Sequence, residues 1–213
     1  IKNNKLYVTS MNDAAVNVYN AENFSFIKWI ALNHPSEKIV VANNYIYVAN
    51  LNFKGGKAVE IIDPTNDTNT VDIAFENVIN GLATNGQSVY VVDANATKSK
   101  ISAINNTSIS TSISVNKPSA SNLVSDGSNI YYTAGTGIYK TTNSLVDEGN
   151  KLFDVNNGGA NFTLYGFNVI NGIIFTSDPN KFTDNSKIII YKEDGSIIKE
   201  FTGGIGTNGF YKF

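Results

Sequence analysis

The chain has 213 residues, 42% hydrophobic and 16% charged, with a formal charge of -2 and no cysteine. That length holds one large domain or two small ones, and the apolar share supplies a real core. The missing cysteine excludes disulfides and thiolate chemistry, and the missing arginine with a mildly acidic balance argues against nucleic acid as a partner.

In chain order, the first clear element is the short strand Leu6-Tyr7-Val8, preceded by the turn pair Asn3-Asn4. The pattern returns as Asn43-Asn44 before Ile46-Tyr47-Val48, and as Asn85-Gly86 before Val89-Tyr90-Val91. It returns again as Asp126-Gly127 before Ile130-Tyr131-Tyr132, and as Asn171-Gly172 before Ile173-Ile174-Phe175. The spacing stays between 40 and 43 residues. These turn pairs tolerate positive φ, which predicts two-residue type I′ hairpins. The rest of each repeat is rich in Val, Ile, Thr, Tyr and Phe and reads as further strands. Residues 143–155 are the least strand-like and are expected to form a loop or short helical turn. No apolar run reaches the ~20 residues a membrane-spanning helix needs.

Four strands in each repeat of about 43 residues predict an all-β fold, a β-propeller of five four-stranded blades in a single domain, 1–213. The segment Gly209-Phe210-Tyr211-Lys212-Phe213 is expected to act as an innermost strand. It would pair with the N-terminal blade, which opens without a first strand of its own. The alternative is part of a seven-bladed propeller. The tyrosines at 7, 47, 90 and 131 share one repeat position, so they are expected to fill contacts between blades. Trp29, in an outer strand, is open to a structural role or a crevice contact.

The strands Tyr7-Val8-Thr9-Ser10, Tyr47-Val48-Ala49-Asn50 and Tyr90-Val91-Val92-Asp93 resemble the YVTN family of propeller repeats, with Tyr131–Ala134 and Ile174–Ser177 as degenerate copies. Ala58-Val59-Glu60-Ile61-Ile62-Asp63-Pro64 resembles the strand that follows in that family. Residues 204–211 are similar to the ends of exported surface-lipoprotein propellers of Bacteroidetes. The resemblance implies an extracellular or cell-surface protein, lipid-anchored through a segment not present here, with an outer-membrane transporter or other surface protein as partner. Some members bind corrinoids beside such transporters, and distant ones hydrolyse lactones. No ligand contact of the family matches this chain residue by residue.

In such a fold the loops after each second strand and before each first strand share one face. That face holds the candidate ligand residues Asn12, His34, Asn52, Phe53, Lys54, Asn95, Asp178, Asn180, Phe182 and Asn208. Amides and aromatics suit hydrogen bonding and stacking to a small polar molecule or glycan. Phe162 and the 158–161 loop belong to the same set. The bland reading is that Asn, Gly, Ser and Pro simply shape turns. The 52–56 and 178–186 loops stand out because they exceed what a hairpin requires. His34 is the only histidine, which leaves no metal cluster and no nucleophile–base pair. No cofactor is expected. Oxygen ligands for calcium would have to come from Asp178 with Asp184 or Asp63 with Asp67, and neither matches a calcium loop. The expected function is a non-enzymatic binding module. The alternatives are a protein–protein scaffold without a small ligand, and a metal-assisted lactonase-like hydrolase drawing on Asp13, Asp93 and Asp178.

Overall fold

A computed structural model describes residues 1–155 and 164–212. The 158–161 loop, Phe162 and the terminal Phe213 lie outside the described residues. Among the described residues nineteen strands form five antiparallel sheets. The first sheet holds β1 (Lys5–Thr9), β2 (Ala15–Asn20) and β3 (Phe26–Ala31). The second holds β4 (Ser36–Ala42), β5 (Tyr45–Asn50), β6 (Ala58–Asp63) and β7 (Thr68–Ala74). The third holds β8 (Val78–Thr84), β9 (Val89–Ala94), β10 (Ser99–Asn105) and β11 (Ser108–Val115). The fourth holds β12 (Ser121–Ser125), β13 (Asn129–Ala134), β14 (Gly137–Thr142) and β15 (Asn150–Asp154). The fifth holds β16 (Gly166–Ile170), β17 (Ile173–Asp178), β18 (Lys187–Tyr191) and β19 (Ile197–Thr202). Each sheet is one sequence repeat, so the period read from the sequence is the blade. Residues 150–154, expected to be irregular, supply the fourth blade's outer strand.

The second strands lack the polar–apolar alternation of a half-buried strand because both of their faces are covered. In β5, Ile46 and Val48 pack toward the first blade in a core with Val16, Val18 and Ile30. Their neighbours Tyr47 and Ala49 pack toward the third blade with Leu82, Val89 and Val91. The same division recurs between blades three and four, and between four and five. Every blade also carries a β-bulge between its last two strands, at Val18/Tyr19, Ile61/Ile62, Ala103/Ile104, Ile138/Tyr139 and Ile190/Tyr191. Bulges sharpen the strand twist. They swing each outer strand away from its neighbour.

The repeated tyrosines cross the blade boundaries. Tyr7 donates its hydroxyl to Asp67 Oδ1 at 2.7 Å, and Tyr47 donates to the carbonyl of Asn106 at 2.7 Å. Tyr90 donates to the carbonyl of Asn143 at 3.1 Å, and Tyr131 donates to the Glu193 carboxylate. Each acceptor lies in the turn or loop between the third and fourth strands of the next blade. Around two of these junctions charge adds to the latch. Lys5 meets Asp67 at 2.7 Å, and Lys140 reaches Glu193 at 2.9 Å while lying over the Tyr131 ring.

The first hairpins differ in detail from the expectation. Asn3 and Asn4, and likewise Asn171 and Gly172, both hold positive φ. The connections at 85–88 and 126–129 are four residues long in register, Thr84 opposite Val89 and Ser125 opposite Ile130. There the Asn85 and Asp126 side chains accept backbone N–H groups two and three residues on, which stabilises a longer turn.

Ring closure also differs. Residues 203–212 form no strand, and the first blade keeps three strands. The tail lies instead against the fifth blade, where the Phe210 carbonyl accepts from Asn168 Nδ2 at 2.6 Å and its ring sits 5.6 Å from that of Phe175. Among the described residues four inter-blade cores are formed, joining blades one to two through four to five. The outward faces of the end blades carry exposed apolar side chains: Phe26, Ile27 and Trp29 on β3, and Phe201 on β19. Trp29 is 61% exposed, so no crevice encloses it.

The latches predict an alkaline signature. Burial pushes the Tyr47 hydroxyl up to about 12, against about 10 in an unfolded chain. The fold therefore favours the protonated phenol. Its contribution is complete below pH ~10 and disappears as pH rises from about 10 to about 12. Tyr47→Phe should cost about 1 kcal/mol in denaturant unfolding at neutral pH. The variant should also lose part of the wild-type decline in stability above pH ~10.

Candidate ligand site at the channel mouth

The first strands β4, β8, β12 and β16 are the innermost edges of their sheets and lie side by side. A polar side chain on each bridges to the next blade. Lys38 Nζ donates to the Asn80 carbonyl at 3.3 Å, and Asn80 Nδ2 donates to the Ala120 carbonyl at 3.2 Å. Asn122 Nδ2 donates to the Leu164 carbonyl at 2.7 Å, and Asn168 Nδ2 to the Phe210 carbonyl. A bulge in β12 and a φ of 52° at Asn122 aim that amide. The ladder satisfies polar groups along an inner wall that would otherwise be costly to bury.

Above this wall the inner strands and the loops on the same face enclose a cavity of about 860 Å³. Met11, Asn52 and Phe53, Asn80, Ser119, Ser121 to Val124, Leu164, Tyr165 and Asn208 bring all five blades to it. Of the residues read from the sequence, Asn52, Phe53 and Asn208 line the cavity. Lys54 borders it, and its ammonium donates to the Met11 carbonyl at 3.3 Å, tying the second-blade loop to the first. Phe182 stands behind the wall, edge-on to Tyr165 with ring centroids 4.8 Å apart.

The other expected residues are not brought together there. Asn12 is exposed, its backbone N–H bonded to Ser10 Oγ. Asn95 is engaged in its own turn, accepting from the amides of Thr97 and Lys98 and donating to Asn77. Asp178 is buried and accepts from the Asn180 amide, while Asn180 itself opens a short 3-10 turn. His34 is exposed, and its backbone amide is held by Glu60.

The carboxylates considered for metal-assisted hydrolysis (Asp13, Asp93) and for calcium (Asp63, Asp67) make local hydrogen bonds instead. Asp13 accepts from Ser10 Oγ, and buried Asp93 accepts from the backbone and side chain of Asn77. Asp63 caps the Thr65 amide, and Asp67 is taken by Lys5 and Tyr7. Among the described residues no three His, Asp or Glu side chains gather as a metal site would require.

Two features were missed in the sequence. The first is the inner-wall set Lys38, Asn80 and Asn122, with Tyr165. Lys38 and Asn80 both lie five residues before the turn pair of their repeat, and Asn122 lies four before. A polar residue inside an apolar inner strand was the available signal. Burial holds the Lys38 ammonium below its ordinary pKa, partly offset by Glu37 beside it. The second feature is Glu60. Fully buried, it accepts from the amides of Asn33 (2.8 Å) and His34 (3.2 Å) and from Asn50 and Asn69 Nδ2 (2.8 and 2.7 Å). It fixes the loop that enters the second blade.

No family model matches the chain, and no curated protein matches it significantly. Solved structures do. The chain is similar to Kuenenia stuttgartiensis hydrazine synthase with a TM-score of 0.76 and 13% identity, covering 97% of this chain and 73% of that one. It is similar to the Dos1 propeller at 0.69 and 7% identity, covering 93% and 57%. It is also similar to the computationally designed Ika8 protein at 0.68 and 11% identity, covering 100% and 64%. The fold is a β-propeller. At these identities the likeness extends to the fold alone, and the chain spans between about half and three quarters of the propellers it matches.

Glu60→Gln should test the loop anchor. A glutamine presents an NH₂ where a carboxylate oxygen met only donors, so the change should cost about 1–3 kcal/mol. Hydrogen exchange at the Asn33 and His34 amides should accelerate in the variant, with amides of the fourth and fifth blades unaffected.

Proposed function

We propose that this propeller is a binding module that captures a small polar molecule or glycan at the channel mouth. The observation that carries the reading is the convergence of all five blades on one cavity walled by amides, hydroxyls and aromatic rings. Neutral hydrogen-bonding groups beside apolar rings suit a polyhydroxylated ligand, whose ring faces stack while its hydroxyls bond. Phe53, 67% exposed at the rim, is the stacking surface. The resemblance of the Tyr-Val strands to YVTN repeats supports display at the cell surface, beside an outer-membrane transporter. Saturation-transfer NMR with a panel of neutral sugars should detect binding to the wild-type chain. Phe53→Ala combined with Asn208→Ala should weaken it about tenfold, roughly the worth of one good contact. Silence across the panel, or undiminished binding by the variant, would count against the mouth as the site.

The end blades support a second proposal, about architecture. The five blades form an arc of a larger ring, and further blades cover the faces carrying Trp29 and Phe201. Four cores among five blades, apolar end faces and the greater length of the matched propellers support it. The 213-residue chain should then self-associate and bind a hydrophobic dye. Trp29→Ser with Phe201→Ser should suppress both, since exposed apolar patches drive such association. A monomeric chain that leaves the dye dark would overturn it.

A further inference from the structure

The inner-wall ladder contains one member that does not match the others. At three of its rungs the donor is an asparagine amide, and a neutral amide is sufficient for the bridge. The second blade uses Lys38 for the same bridge, with the longest donor distance of the four, 3.3 Å. Structure alone therefore does not call for the charge. Six ion pairs occur among the described residues, and Lys38 is in none of them. Glu37 also lines the cavity. It sits at the bulge of β4, close enough for its charge to temper the lysine, and the two form no ion pair. The remaining lining is neutral.

A partly desolvated ammonium on a cavity wall lowers its free energy by meeting an anion. We propose that Lys38 binds the carboxylate of an acidic sugar, a hexuronate unit, at the channel mouth. One ammonium matches one negative charge. A phosphate dianion would call for the further cations or forked guanidinium that this site lacks. Phe53 and Tyr165 offer stacking faces to the pyranose ring, while the Asn52 and Asn208 amides and the Ser119 and Ser121 hydroxyls meet its hydroxyls. The proposal rests on the reading of the mouth as a sugar site and adds the charge that selects among sugars.

The test compares methyl glucuronide with methyl glucoside by calorimetric titration, on the wild-type chain and on Lys38→Asn. Asparagine removes the charge but reaches less far than lysine, so thermal melting of the variant checks the fold once the bridge is lost. The wild type should prefer the glucuronide by about tenfold or more, the worth of one charge-assisted hydrogen bond. Lys38→Asn should remove that preference, lowering glucuronide affinity by more than glucoside affinity. Protection of Lys38 from reductive methylation by glucuronide, and not by glucoside, would give independent support. Equal affinities of the wild type for the two sugars would overturn the charge assignment and leave the mouth reading standing. Failure of both sugars to bind the wild type would overturn both readings.

Discussion

The structure depends on the burial of each second strand from both sides. A strand such as β5 sends Ile46 and Val48 one way and Tyr47 and Ala49 the other, so it belongs to two cores at once. An isolated blade would expose both sets of side chains to water. Stability therefore arises between repeats, as in other repeat architectures, and each blade needs a neighbour on both faces. That requirement also explains why most polar groups at the boundaries are paired, the buried exceptions among the described residues being Ser36 Oγ, Asn69 Oδ1 and Asp93 Oδ1. Close packing of sheets leaves no water for a stray hydroxyl or amide.

Two sets of bonds then fix how neighbouring blades sit. The tyrosine latches hold the outer half of each blade against the third-to-fourth turn of the next. The ladder of Lys38, Asn80, Asn122 and Asn168 does the same along the inner wall. Two attachments at different radii restrict the angle between blades better than either alone. Both run in one direction, from each blade to the one after it. This polarity places the Phe210 carbonyl, at the end of the last rung, where the following inner strand would stand.

The period, the blades and the crossing tyrosines were legible because they depend on local chemistry repeated in register. Positive-φ turn residues and unbroken apolar strands advertise themselves at every copy. Asn52, Phe53 and Asn208 line the cavity because loops of a propeller must gather on one face. Asn95, Asp178 and Asn180 come from the same set of loops but stand outside its lining. Asn and Asp serve both ligands and turns, and the Asx-type bonds to Thr97, Lys98 and Asn180 were not legible in the sequence. Lys38 was hidden because its meaning lies in the carbonyl it reaches 42 residues later. Glu60 was hidden within an apolar run whose other members gave no hint of a buried carboxylate. The turn at Asn85 was misread because an Asn-Gly pair fits a two-residue hairpin as well as a longer Asx-capped one.

The fifth blade shows where the repeat logic changes. Its latch position is Phe175, opposite Ile190 as Tyr47 is opposite Ile61, and its ring meets that of Phe210 in the tail. A tyrosine there would need an acceptor in a third-to-fourth turn beyond the fifth blade. Phenylalanine needs none. The inner ladder, by contrast, continues through Asn168 to the tail. At this junction the inner attachment persists while the outer hydroxyl latch is absent. If further blades follow as proposed above, the one beyond β19 would be held near the channel by the ladder and at the rim by apolar contact with Phe201.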